Sequence, residues 1–235
     1  MQPVNQQDSQ SIIDRFIGVI KLDPFTFQSI KRDPAATSQA WIIVLLAGLI
    51  SGIATARQLA QISIDFQQSL DQASRENPDL AAQISTMQLQ SLDTSGGRLA
   101  TIVFSVLGLI IAWWLFAALA RWAGRQFFGA DPDATSAEEM RRLTGWAYAP
   151  SLLQILAPVP VIGPIIAFFA GIWTLVVTVY AVRNGLNLTT GKSIGASIVA
   201  WILPGILIGL LVCGCVGIVA ATGGITPTTG ATPIP

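Results

Sequence analysis

RRLTGWAYAPSLLQILAPVPVIGPIIAFFAGIWTLVVTVYAV, residues 141–182, is the stretch on which the fold of this chain turns. After Arg141 and Arg142 it reaches Val182 without a charged side chain. Crossing the hydrocarbon core of a bilayer takes about 20 apolar residues of helix. From Gly145 to Val182 there is room for two short spans. Pro158-Val159-Pro160 is the hinge between them, because proline removes a backbone donor and clashes with the preceding turn. The reading is a third span near 143–158 and a fourth near 161–182. At sixteen residues the third is the weak one: as α-helix it covers about 24 Å of a core roughly 30 Å thick. If it only dips in and returns, the count of spans falls from five to four.

Outward from this block the composition agrees with a membrane protein. Hydrophobic residues make up 52% of the 235 and charged residues 11%, against roughly 25% charged in a soluble domain. No Asp or Glu follows Glu139, and no Lys or Arg follows Lys192. Trp41–Ala56 reads as the first span, extended to about 40–56, Leu99–Ala120 as the second and Ile194–Ala221 as the last. About forty mixed residues precede the first span, so no cleavable signal peptide is expected. Residues 57–98, rich in glutamine, keep apolar residues at helical spacing on either side of Asn77-Pro78. They are expected to form two amphipathic helices as a hairpin outside the membrane, ended by a turn at Thr94–Gly97. Thr222–Pro235 is a Thr/Gly/Pro tail with nothing to bury and is expected to be disordered.

Residues 1–39 form a separate segment. Ile12, Ile13, Phe16, Ile17 and Ile20 recur at helical spacing between Asp14, Arg15 and Lys21. Ser9 or Ser11 is a candidate cap, and Asp23-Pro24 and Asp33-Pro34 each have the form of a helix start. Such a helix is too short to span. It lies in the bilayer interface with Ile13, Phe16, Ile17 and Ile20 facing the lipid, or it packs on the protein's own cytoplasmic face.

Orientation follows the excess of Lys and Arg on the cytoplasmic side. With five spans, ten of the 13 basic residues fall on one side, and only Arg57, Arg75 and Arg98 on the other. The N-terminus is therefore expected in the cytoplasm and the C-terminus outside, in the cell membrane. Trp41, Trp122 and Trp146 then share one predicted boundary, as an aromatic belt would. The expected class is all-α: a polytopic bundle of five transmembrane helices over 40–221, with an interfacial helix before it and an extracytoplasmic hairpin.

Chemistry is scarce. The chain has no histidine, and no ionisable residue lies at predicted membrane depth, where ion and proton pathways usually need one. Neither an enzyme nor an ion-coupled pump is expected, and no cofactor. A net charge of zero gives no support to nucleic-acid binding. Thr190-Gly-Lys-Ser193 ends like a phosphate loop, but its preceding glycine, Gly185, is one residue out of place. Asn187-Leu-Thr189 is a glycosylation sequon on the predicted cytoplasmic side. Gly48, Gly52 and Ala56, and likewise Gly205, Gly209, Cys213, Gly217 and Ala221, repeat every four residues, the spacing that lets helix backbones approach closely. They serve packing within the chain or between copies. Arg141, Arg142, Trp146, Tyr148 and Pro150 form the most distinctive cluster. It reads as a basic flank, an aromatic anchor and a kinked helix start, or as a partner-docking element.

At that cluster the chain resembles the Yip domain family, named for proteins that interact with Ypt/Rab GTPases and found also in bacteria and archaea. The likeness rests on Phe16-Ile-Gly-Val-Ile-Lys-Leu-Asp-Pro-Phe-Thr-Phe27, on Arg141 with Ala147-Tyr-Ala-Pro150, and on Ile172-Trp173 leading to Arg183, Leu188 and Lys192. It covers roughly residues 10–215. It implies a five-span bundle with a cytoplasmic N-terminus and a scaffold-like role, since eukaryotic relatives are scaffolds in vesicle traffic. The long 57–98 excursion and the short N-terminal region depart from the pattern and argue against GTPase docking. The expected function is a non-enzymatic membrane scaffold or accessory subunit, its partners the lipid bilayer and other membrane proteins or further copies of itself. The alternative is a transporter or channel for a neutral or lipidic solute, using the Pro-kinked hairpin 145–182.

Overall fold

A computed structural model describes residues 11–76, 95–159 and 161–221. The N-terminal ten residues, the second arm of the expected hairpin, Pro160 and the C-terminal tail lie outside them. Most of the described residues are helical, and none of them forms a strand.

Two short helices come first. α1 (Ile12–Ile20) is capped by Ser11, whose hydroxyl accepts the Asp14 N–H at 3.3 Å. α2 (Pro24–Arg32) starts at Asp23, whose carboxylate accepts the Phe25 and Thr26 N–H groups and the Thr26 hydroxyl. α3 (Ala36–Glu76) is a single helix of 41 residues. At about 1.5 Å per residue it runs roughly 60 Å, twice the hydrocarbon core. The expected division at Arg57 is therefore absent: the first arm of the hairpin continues the first span. Nothing between Arg57 and Glu76 breaks a helix, since the stretch holds neither proline nor glycine. α4 (Ser95–Phe128) likewise starts earlier than expected, and Ser95–Gly97 belong to its first turn rather than to a separate one.

The block at 143–158 is not one helix. α5 (Ala137–Trp146) opens on a reciprocal capping box between Ser136 and Glu139 and stops at Trp146. Pro150 stops it there, because its ring would strike the Trp146 carbonyl and it disfavours helical dihedrals at Ala149. The chain continues as a 3₁₀ helix, Ala149–Leu156. It then reverses through Val161, held at φ 66°, into α6 (Ile162–Leu186). α7 (Thr190–Ala221) follows and contains Pro204.

The long elements alternate in direction. Gly48 and Gly52 of α3 face the backbone of Val106 and Ile102 of α4, so these two run antiparallel. A Cβ on Gly52 would sit 3.0 Å from the Ile102 Cα, which is why glycine is used at this close approach. The 3₁₀ segment starts beside the head of α3, where Gly145 abuts Ala40, and ends in a cavity shared with Ile53 and Arg57. α6 returns, bringing Leu186 against Gly124, and α7 leaves again, with Gly195 against Phe128 and Trp201 stacked on Phe116.

α3, α4 and α6 are long and apolar enough to cross a membrane. Only 17% of the most apolar window of α4 is buried within the chain. Leu99, Val103, Phe104, Leu107 and Ile111 all face outward. Surface of that kind is stable in hydrocarbon and costly in water.

Candidate functional site

The ends of α2, α5 and α6 and the start of α3 converge on one face, and α1 docks over them. Most buried polar side chains there bond within the chain, although Nε of Arg15 and of Arg125 has no hydrogen-bond partner among the described residues. Arg15, 1% exposed, pairs with the Asp33 carboxylate and donates to Gln39 Oε1 at 2.7 Å. Arg142, 4% exposed, donates to Thr37 Oγ1 at 2.9 Å, to the Lys31 carbonyl at 2.8 Å and to Glu138 at 3.1 Å. Lys31 in turn reaches the Ala134 and Gly185 carbonyls at 2.6 and 3.0 Å. Trp146 is fully buried and donates to the Ala36 carbonyl at 3.3 Å. Trp173 donates to the Ile20 carbonyl at 3.0 Å, tying α1 to α6. The 130–136 loop is held by Arg121 and Arg125, both donating to the Thr135 carbonyl.

The titration of the carboxylates reflects this arrangement. The hydrogen bond from Arg15 holds the Asp33 carboxyl below the usual carboxylate range. Burial alone would raise Glu139, but hydrogen bonds from Ser136 and Thr135, with Lys31 and Arg142 nearby, carry it below that range. Burial pushes the Lys31 ammonium down. Asp33 anchors Arg15 of α1, whereas Lys31 and Glu139 line a polar cavity of about 390 Å³ together with Asp133, Asn184 and Asn187. Among the described residues no cluster could hold a metal ion.

The distinctive cluster is thus turned inward. The Arg142, Trp146 and Pro150 side chains are buried and Tyr148 is half-buried against the core. Trp146 does not join an aromatic belt, because its indole fills the space under α3 and α5. Only Arg141 turns outward, its guanidinium 3.9 Å above the Trp114 ring. As displayed here, the cluster offers a partner little beyond Arg141.

The exposed edge of α1 carries large apolar side chains, with the charged Asp14 and Lys21 exposed beside them. Ile13 is 66% accessible, and Ile12, Ile17 and Phe25 are exposed with it. Phe16 and Ile20 are half-buried, Phe16 packing on the core. α1 thus buries Arg15, Gly18 and Val19 against the protein and leaves its isoleucine edge outside. Gly18 permits the α1–α2 crossing, since a Cβ there would lie 2.8 Å from the Thr26 Cβ. Among the small-residue stripes, Gly48 and Gly52 meet α4, whereas Gly205 has nothing within 4 Å. The side chains at Gly209, Cys213 and Gly217 lie outside the described residues.

The model of the Yip1 domain family matches residues 17–213. The chain belongs to the Yip1 domain family. The matched residues take in the end of α1, all of α2 to α6 and most of α7. No curated protein and no solved structure matches the chain. Sequence reasoning passes over the structural roles of Arg15, just before the matched Yip1 residues, and of Gly18, Lys31 and Trp113 within them. Arg15 and Lys31 look like surface charges until α2 folds back on α1. Trp113 sits in an apolar run with no sign that its indole N–H will reach the Arg141 carbonyl, 2.9 Å away.

Proposed function

We infer that this Yip1 domain protein is a non-enzymatic membrane scaffold or accessory subunit. The observation that carries the reading is the cap: its buried cations are held largely by the chain's own carbonyls and carboxylates, while α1 leaves Ile12, Ile13 and Ile17 exposed along one edge. A cap tied together in this way, with an isoleucine rim on α1, suits docking to lipid or to an apolar partner surface better than chemistry. The alternating path of α3, α4, the α5–3₁₀ segment, α6 and α7 supports five crossings, and the ten-to-three division of basic residues supports a cytoplasmic cap in the cell membrane. The C-terminus is then extracytoplasmic. The transporter alternative draws less support. The cavity beside the 145–182 hairpin is walled by outward-facing residues such as Leu49 and Ile155, so it opens sideways and makes no path across.

Two experiments test this. A reporter fused after Pro235 should signal outside the cytoplasm, and a cytoplasmic signal removes the five-crossing topology. Mild solubilisation with in-membrane crosslinking should give a reproducible partner or a homo-oligomer. A monomer without crosslinks counts against the scaffold.

A further inference from the structure

The cavity between α3 and the 3₁₀ helix has a volume of about 610 Å³, within the range of roughly 300–1,000 Å³ that holds small ligands. Its walls are apolar, formed by Leu46, Leu49 and Ile53 on one side and Ile155 on the other, all more than a third exposed. Its two polar side chains are Arg57 and Gln154. Neither has a hydrogen-bond or ion-pair partner among the described residues. From Leu46 to Arg57 the cavity follows eleven residues of α3, about 16 Å, or half the hydrocarbon core. That is the depth of one leaflet. A second cavity of about 470 Å³ shares Ile53 and Arg57 and continues away from the first, past Gln61 and Arg98.

We propose that the two cavities together bind one anionic phospholipid. An acyl chain lies in the apolar slot, Arg57 binds the phosphate at the slot's mouth, and the headgroup sits at the Gln61 and Arg98 rim of the second cavity, whose other walls, Arg57 apart, are apolar. Each part follows from chemistry already described. The slot is the right length for a chain of one leaflet and opens toward the lipid around the bundle. A guanidinium at the hydrocarbon boundary can reach the headgroup layer while its stem stays in apolar surroundings. Arginine also matches phosphate oxygens with two parallel donors. The proposal requires α3 to lie in a bilayer and is independent of the scaffold role.

The test uses the full chain purified in mild detergent, titrated with phosphatidylglycerol or phosphatidylcholine and read by native mass spectrometry. One phosphatidylglycerol per chain should be retained, about tenfold more tightly than phosphatidylcholine. Arg57→Gln should erase that preference, whereas Arg75→Gln, on the same helix beyond both cavities, should leave it. Ile53→Trp, which fills the slot, should lower retention of both lipids, and Leu49→Phe repeats the test should the first variant fail to fold. Glycerol 3-phosphate, a headgroup without chains, should not compete at lipid concentrations. An Arg57→Gln protein that keeps the preference, a filled slot that binds as before, or competition by glycerol 3-phosphate would each overturn the proposal.

Discussion

Arg141 and Arg142 are neighbours in sequence with opposite surroundings, and substituting each by methionine separates their roles. Methionine keeps most of the stem's bulk and removes the donors. In Arg142→Met the Lys31 carbonyl and Thr37 Oγ1 lose their donor inside the cap. Each such loss costs about 1–3 kcal/mol. The third partner, Glu138, is 57% exposed and adds little. The sum is about 3 kcal/mol, most of it from two acceptors left without a donor. For a chain of this size, that lowers the unfolding midpoint by about 6–12 °C. Arg141→Met loses only a cation–π contact at a half-exposed site, worth roughly 0.5–1 kcal/mol, or under about 4 °C. Thermal unfolding of both variants in one detergent gives the comparison. Hydrogen exchange at residues 31–37 locates the effect, with faster exchange expected in Arg142→Met alone. Equal midpoints, or a larger loss at Arg141, would refute the inward-facing cap and restore the pair as a docking element.

Gly52→Val should destabilise by about 1–3 kcal/mol, because its Cβ meets the Ile102 backbone, which cannot rotate away. Gly205→Ala, with open space above it, should be neutral or stabilising by up to about 1 kcal/mol; thermal unfolding ranks the two. Asn187 ends α6 in the left-handed region at φ 52°, so Asn187→Gly should be tolerated and Asn187→Val should cost about 1–2 kcal/mol in the same assay. Asp33 and Glu139 both titrate below their unfolded values. Their contribution is complete above about pH 4–4.5 and is lost as pH falls through the lower folded values. Unfolding midpoints followed from pH 7 to 3 should stay level at first and then drop, and Asp33→Asn should shallow the drop.

Local chemistry was legible in the sequence wherever it acts over three or four residues. Ser11 and Asp23 cap helices because their oxygens reach N–H groups two or three positions on, and both are candidate caps by sequence alone. The Ser136–Glu139 capping box is equally local and equally readable, though the expected pattern did not include it. Contacts between distant segments were not legible. Arg15 meets Asp33 across 18 residues and Arg142 meets Thr37 across 105, so neither side chain announces its burial. The isoleucine edge of α1 was visible as a period. Which edge of that helix would be buried was decided by Gly18, whose missing side chain allows the crossing with α2. The change of composition at Arg57 marks a change of surroundings, not a break. Ending a helix takes proline, glycine or a competing hydrogen bond, and none lies between Arg57 and Glu76.

The shortness of 143–158 also has a physical resolution. Counted as α-helix, sixteen residues fall several ångströms short of a hydrocarbon core. The structure replaces the middle of this segment with eight residues of 3₁₀ helix, which rises about 2.0 Å per residue where α-helix rises 1.5 Å. Those eight residues gain about 4 Å. Pro150 is the cause, because it bars the α-helical continuation from Trp146. A 3₁₀ helix is also thinner, and here it leaves beside α3 the apolar slot that ends at Arg57. Pro150 thus lengthens the segment that the Pro158-Val159-Pro160 hinge cuts short, and leaves the apolar slot along its side.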